Sequence, residues 1–218
     1  MNKIFVCSDF HFYHDRDFLY EPRGFLSVEE ANEEMIRRYN EVVDDGDIVY
    51  ILGDLGLNAT GHEICELVAR LNGRKYLALG NHDTDARIKA YKESELFEAV
   101  DYGFRLNYKK KTFWLTHYPT IVANYDDKPN YNIHGHTHDT KLPKRLRDNG
   151  GDYCKKLLCI SAPSVRLAAA SRTEDASRGF NVIELNKANG IYNNIVIKNF
   201  EMKKAIIEEK NSESFDLK

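Results

Sequence analysis

Apolar residues in this chain follow two rhythms, and the change falls near residue 100. Before it, short runs of strand character alternate with longer stretches of helical period. Lys3-Ile4-Phe5-Val6-Cys7-Ser8, Asp47-Ile48-Val49-Tyr50-Ile51-Leu52 and Lys75-Tyr76-Leu77-Ala78-Leu79 read as strands. Between the first two, Val28, Ala31, Met35, Ile36, Tyr39, Val42 and Val43 make one helical stripe, opened by a capping box at Ser27-Val28-Glu29-Glu30. Thr60-Gly61-His62-Glu63 is a second capping box, followed by Ile64, Leu67, Val68 and Leu71 and closed by Gly73. A weaker helix is predicted from Thr84 to Ser94. Strands alternating with helices imply a parallel sheet with right-handed crossovers.

Past residue 100 the pattern turns β-rich. Phe104 to Tyr108, a turn of three lysines and Thr112 to Thr116 come first. Tyr131 to His134, Leu157 to Ile160, Phe180 to Leu185 and Ile191 to Ile197 follow. A second sheet packed on the first is the expectation. No repeat or linker divides the chain, so residues 1–208 are expected to form one domain. Residues 209–218 are charged and polar and are expected to fray.

With 218 residues, 42% of them hydrophobic, the chain can bury a sizeable α/β core. A net charge of −3 gives no global pull toward nucleic acid or a membrane surface. No apolar run approaches the roughly 18 residues of a spanning helix, and the N-terminus lacks a secretory pattern. Cys7, Cys65, Cys154 and Cys159 show no CxxC spacing, so reduced thiols in a cytoplasmic protein are expected.

The strand ends carry the chemistry. Five apolar runs each stop on residues that bind hard or borderline cations: Asp9 and His11, Gly53-Asp54, Gly80-Asn81-His82-Asp83, His117, and Gly135-His136-Thr137-His138. Ligands of α/β sheets bind outside the carboxyl ends of the strands, so the five should converge. Taken singly, an Asp or His after a strand is usually a cap or turn residue. Seven together, Asp9, His11, Asp54, Asn81, His117, His136 and His138, exceed the three or four protein ligands of one catalytic ion. They suit two ions about 3.5–4 Å apart sharing a carboxylate. Asp9 and His11 would leave one face of a strand together, as would His136 and His138. An oxygen and nitrogen set without thiolate fits Mn, Fe, Zn, Ni or Co.

Asp9-Phe10-His11, Gly53-Asp54, Gly80-Asn81-His82-Asp83, His117 and Gly135-His136-Thr137-His138 resemble, in order and type, the five motifs of the calcineurin-like metallophosphoesterases. Phe10 departs from the small or hydroxyl residue common there, and Tyr118 from a frequent Gly; neither position supplies a ligand. The stretch Asp9 to Phe25, with His14 and Arg23-Gly24-Phe25, looks like the small prokaryotic and phage-borne branch. The resemblance implies a four-layer α/β-β/α sandwich with mixed sheets and two divalent transition-metal ions, manganese foremost. It implies that Asp9, His11, Asp54 and His138 hold one ion, and Asp54, Asn81, His117 and His136 the other. The implied activity is phosphate-ester hydrolysis by a hydroxide bridging the ions. His82 resembles the catalytic histidine that protonates the leaving oxygen. Asp83 would fix its tautomer, or else cap the helix at Thr84.

Substrate is less legible. His14 and Arg23 are candidate substrate contacts with Asn81, Arg23 because its planar fork matches phosphate oxygens. A salt bridge to Glu21 or a helix carboxylate would also explain Arg23. Lys141, Lys144, Arg145, Arg147, Lys155 and Lys156 would rim the pocket or form a solvated loop. His134 is expected to be buried behind the ligands and His62 to be solvated. A phosphodiesterase on a small nucleotide-like ester is the expected function, since so short a chain has few insertions with which to build a duplex cleft. The alternatives are a nuclease acting on DNA or RNA and a catalytically silent scaffold of the same fold. A membrane partner is not expected, and oligomeric state is not legible.

Overall fold

The computed structural model describes residues 2–21, 24–108, 110–120 and 130–137, and the strand backbones at 158–161, 179–188, 191–203 and 206–216. The first half runs β1 (Ile4–Cys7), α1 (Asp17–Tyr20), α2 (Val28–Val42), β2 (Ile48–Ile51), α3 (Gly61–Val68), β3 (Arg74–Ala78), α4 (Asp85–Glu93) and β4 (Phe97–Asp101). The second half is all strand: β5 (Gly103–Tyr108), β6 (Lys111–Thr116), β7 (Asn130–His134), β8 (Leu158–Ser161), β9 (Gly179–Ala188), β10 (Ile191–Lys203) and β11 (Ile206–Asp216).

β1 to β4 lie side by side in that order and pair in parallel. Such strands are buried on both faces, which is why they read as unbroken apolar runs. In β1, Phe5 and Cys7 join the core under the helices, while Val6 between them belongs to the opposite face. The helical core sets Met35, Ile36 and Tyr39 of α2 and Ile64, Leu67 and Val68 of α3 against Val49, Ile51 and Leu77. Across the sheet, Val6, Leu52 and Ala78 meet Phe113, Leu115 and Ile133. These last three belong to a mixed sheet ordered β5-β6-β7-β8, antiparallel at β5–β6 and parallel beyond. A helical layer and two facing sheets are thus the expected α/β arrangement. The outer helices of a four-layer sandwich would fall outside the described residues. A third, antiparallel sheet β11-β10-β9 brings β9 beside β1.

Four details differ from expectation. β4 was not anticipated, because Phe97-Glu98-Ala99-Val100-Asp101 is a half-exposed edge strand without clean alternation. At α2, Ser27 accepts the Glu30 N–H, but the Glu30 carboxylate takes the N–H of Leu26, one residue ahead of the cap. The box at Thr60 is complete, yet α3 ends at Val68, well short of Gly73. Residues 209–216, expected to fray, continue β11, paired with β10 as far as Asp216. The pairing of main-chain groups does not depend on apolar side chains, so a polar edge strand leaves little hydropathy signal.

Candidate metal centre

The donor-bearing residues sit just past the strands, in strained turns. Asp9 and His11 follow β1 with φ of 53° and 50°, Asp54 follows β2 with φ 57°, and His136 follows β7 with φ 63°. Positive φ is uncommon for any residue but glycine, and clusters of such strain mark functional sites. The strand-face expectation for Asp9 and His11 is therefore corrected: turns, not a pleat, aim both side chains. The strain persists because the turns are stitched to each other. Asp9 N–H donates to the Gly53 carbonyl at 2.9 Å, His11 N–H to Asp54 at 3.0 Å and Phe12 N–H to Leu55 at 2.8 Å. Gly80 and Gly135 let the outer loops come this close. A Cβ on Gly80 would collide with Asp54 Oδ1, and one on Gly135 would lie 2.8 Å from Asp9 Oδ2.

Asp54 is the hub. Its Oδ1 accepts the His82 N–H at 2.9 Å. Its buried Oδ2 lies 3.6 Å from His11 Nε2, 3.6 Å from His117 Nε2 and 3.9 Å from His82 Nε2. Two donor groups result, His11–Asp54–His82 and Asp54–His117–His136, with Asp54 common to both. Asp9 adjoins the first, its Oδ1 3.5 Å from His11 Nε2, while its Oδ2 accepts the His136 N–H at 3.1 Å.

The second group tests whether cations fit. His117 Nδ1 is 2.8 Å from the Leu52 carbonyl, which can only accept, so Nδ1 carries the hydrogen and Nε2 offers its lone pair. That lone pair faces Asn81 Oδ1 at 3.0 Å, His136 Nδ1 at 3.2 Å and the Asp54 carboxylate. The His117 Nε2 lone pair and the Asp54 carboxylate, 3.6 Å apart, are acceptors that repel each other unless positive charge lies between them. Asp54, Asn81, His117 and His136 offer donors to such a cation.

Asp83 is corrected in role. Its buried carboxylate accepts backbone N–H groups of Gly80 at 2.8 Å, Asp54 at 2.9 Å and Leu55 at 3.2 Å. It neither orients the His82 ring nor caps α4, whose N-cap is Thr84. Burial pushes the Asp83 carboxyl upward, and the three N–H donors oppose that. Arg87, which sequence reasoning missed, donates to the carbonyls of His82 at 2.7 Å, Gly56 at 3.1 Å and Ala59 at 2.8 Å. It thereby ties the loop after Asp54 to the loop carrying His82. The only sequence cue was an arginine in the first turns of the helix after Asn81-His82-Asp83.

The remaining candidates divide cleanly. Asn81 joins the second group, and the His14 ring lies 5.8 Å from that of His11. His134 is buried behind the ligands as expected, its Nδ1 2.8 Å from the Gly135 carbonyl, and burial lowers its pKa. His62 is exposed on α3. Arg23, His138 and the basic stretch 141–156 lie outside the described residues. Phe10 does not shape the pocket: it is buried and stacks on Phe12 at 5.1 Å. Tyr118 does border the centre, its ring 4.9 Å from His117 and 4.8 Å from His136. Burial and the charges of Asp54 and Asp83 raise its pKa, so the phenol is neutral at pH 7. Cys7 and Cys65 are buried outside any disulfide. No helix among the described residues is long and apolar enough to cross a membrane.

The family model for calcineurin-like phosphoesterases matches residues 2–158, a span that takes in every one of these donors. The chain belongs to that family. An uncharacterized protein of Methanocaldococcus jannaschii is 39% identical over 145 residues, covering 65% of this chain and 73% of its own. The gene 66 protein of Mycobacterium phage L5 is 28% identical over 172 residues, covering 66% and 82%. Among solved structures, a protein of unknown function from Aquifex aeolicus aligns with a TM-score of 0.51 at 25% identity, covering 75% of this chain and 91% of that one.

Proposed function

We propose that the chain is a two-metal phosphoesterase acting on phosphodiesters of small, nucleotide-like molecules. The observation that carries this reading is the single Asp54 Oδ2 shared by two donor groups. Asp54, Asn81, His117 and His136 would hold one ion. Asp9, His11 and Asp54 would hold the other, with His138 completing it as the family motif implies. When bound, such ions supply Lewis-acid stabilisation of phosphoryl oxygens and acidify water held between them. Manganese is the first ion to try, as the family resemblance implies; the donor set accepts Fe, Zn, Ni or Co as well.

The chain's own groups do the rest. His82 is half exposed beside Asp54, where its ring can reach a departing ester oxygen and give it a proton. Asp54 Oδ1 accepts the His82 N–H, and Arg87 donates to the His82 carbonyl. The His82 ring also lies within the first donor group, so its metal content on mutation decides between proton donor and ligand.

The test is a screen of metal-supplemented protein against chromogenic phosphomonoesters, phosphodiesters and cyclic nucleotides. Elemental analysis runs alongside it. Two ions per chain and turnover of diesters are expected. Saturation at one ion would sink the shared-carboxylate reading. Two ions with no turnover of any ester would point to a silent scaffold, and salt-steep binding of DNA or RNA to a nuclease.

A further inference from the structure

Leu26, Tyr102 and Tyr118 are the large hydrophobic side chains left exposed among the described residues, and Tyr118 alone of the three is seen to touch the donor groups. It is 48% exposed. The ring stands edge-on to His117, at 80°, and tilted on His136, at 60°. The ring thus borders both imidazoles and still leaves about half of its residue surface exposed.

The backbone that carries the ring is also braced. Thr116 Oγ1 and Thr120 Oγ1 donate to the Tyr118 carbonyl at 2.7 and 2.9 Å. Buried Asn132 accepts the Thr120 N–H at 2.9 Å and donates to Thr116 Oγ1 at 2.9 Å and to the Trp114 carbonyl at 3.0 Å. Such a braced segment leaves Tyr118 little beyond two side-chain torsions to lose when something packs on it. A rigid aromatic of this kind contributes contact area at low entropic cost.

We propose that Tyr118 is the surface on which the base of a nucleotide substrate stacks, so that the site prefers phosphate esters carrying a nucleoside to those carrying an alkyl group. The proposal rests on the phosphoesterase reading above. With the phosphate at the Asp54 centre, the ring borders the two imidazoles that would hold one ion. Every base has a π face, so stacking selects for a base without choosing among bases. The neutral phenol adds no charge against the phosphate.

Equilibrium binding to the manganese-loaded protein tests this without turnover. Adenosine 5′-monophosphate and ribose 5-phosphate share phosphate and sugar and differ in the base. Wild type and Tyr118→Phe should bind the nucleotide roughly 5- to 150-fold more tightly than the sugar phosphate. Tyr118→Leu keeps apolar cover but no π face, and should lose most of that preference, as should Tyr118→Ala. Kinetics supply a second arm, with thymidine 5′-(p-nitrophenyl phosphate) and methyl p-nitrophenyl phosphate sharing a leaving group. Tyr118→Leu should raise KM for the nucleoside ester more than for the methyl ester, with kcat affected alike. Equal affinities in the wild type, or a preference that survives in Tyr118→Leu, would overturn the proposal. So would ion loss with both ligands weakening together, which would make the ring a cover for His117 and His136. A base preference without turnover of either ester would leave Tyr118 standing and sink the catalytic reading; turnover without a preference would do the reverse.

Discussion

The two sides of the centre are built differently. On the parallel-sheet side, the turns carrying Asp9, His11 and Asp54 are zipped together by main-chain bonds, and Asp83 and Arg87 fasten the His82 loop to them. On the mixed-sheet side, His117 and His136 reach across through single bonds, His117 to the Leu52 carbonyl and the His136 N–H to Asp9. The first side is a rigid frame of over-determined backbone, able to hold several residues at positive φ. The second is a pair of imidazoles docked on that frame. Substitutions in the frame should therefore disturb both ions, or the fold itself, whereas those on the docked side should be felt locally.

Asp54→Asn breaks the comparison at its centre and should have the largest effect. A neutral amide under-compensates the charge of both ions, so metal content should fall from two toward none and turnover to background. His117→Ala should remove one ion and spare the other. If elemental analysis finds one ion at wild-type affinity in Asp54→Asn, the carboxylate is not shared.

His82→Ala comes next. With metal content near normal, kcat should fall by roughly 10²–10⁴. The loss should be greater for a nucleoside leaving group than for p-nitrophenolate, which departs as a stable anion without a proton. Equal losses on both substrates would mean charge stabilisation of the phosphoryl oxygens instead. Loss of an ion would make His82 a ligand, as its place beside His11 and Asp54 allows.

Legibility in the sequence followed the same divide. Donor identity was readable because side-chain chemistry at strand ends is a local signal: Asp54, Asn81, His117 and His136 do meet. How the donors are aimed was not, since the positive φ of Asp9, His11, Asp54 and His136 depends on bonds between loops distant in sequence. The same blindness hid Asp83, whose acceptors' partners lie on two loops, and Arg87, whose spacing looks like any helix arginine. β1, β2 and β3 were plain because burial on both faces writes an apolar run; β4 and β11 were hidden or misread because edge strands need no such run.

Asp83→Asn probes the frame's stability. The amide keeps one acceptor oxygen where the carboxylate served three buried N–H groups, so roughly 2–5 kcal/mol of stability should be lost. A denaturant midpoint within error of wild type would show that the loop holds itself.

Arg87→Lys should be the mildest and the most diagnostic change. An ammonium keeps the charge but not the fork that spans the carbonyls of Gly56, Ala59 and His82. The loss should be about 1–3 kcal/mol in stability. If the clamp also positions His82, kcat should fall roughly tenfold with KM and ion content unchanged, short of the 10² that a full misplacement can cost. Tyr39→Phe is the control, because it deletes only a bond from α2 to the Asn72 carbonyl and keeps the ring that packs on Phe10. It should lower stability with no change in kcat. If the two variants, compared where both are fully folded, share the same kcat, Arg87 serves only the fold. If only Arg87→Lys is slowed, and more on esters with a nucleoside leaving group than on those that release p-nitrophenolate, the arginine acts through the His82 proton.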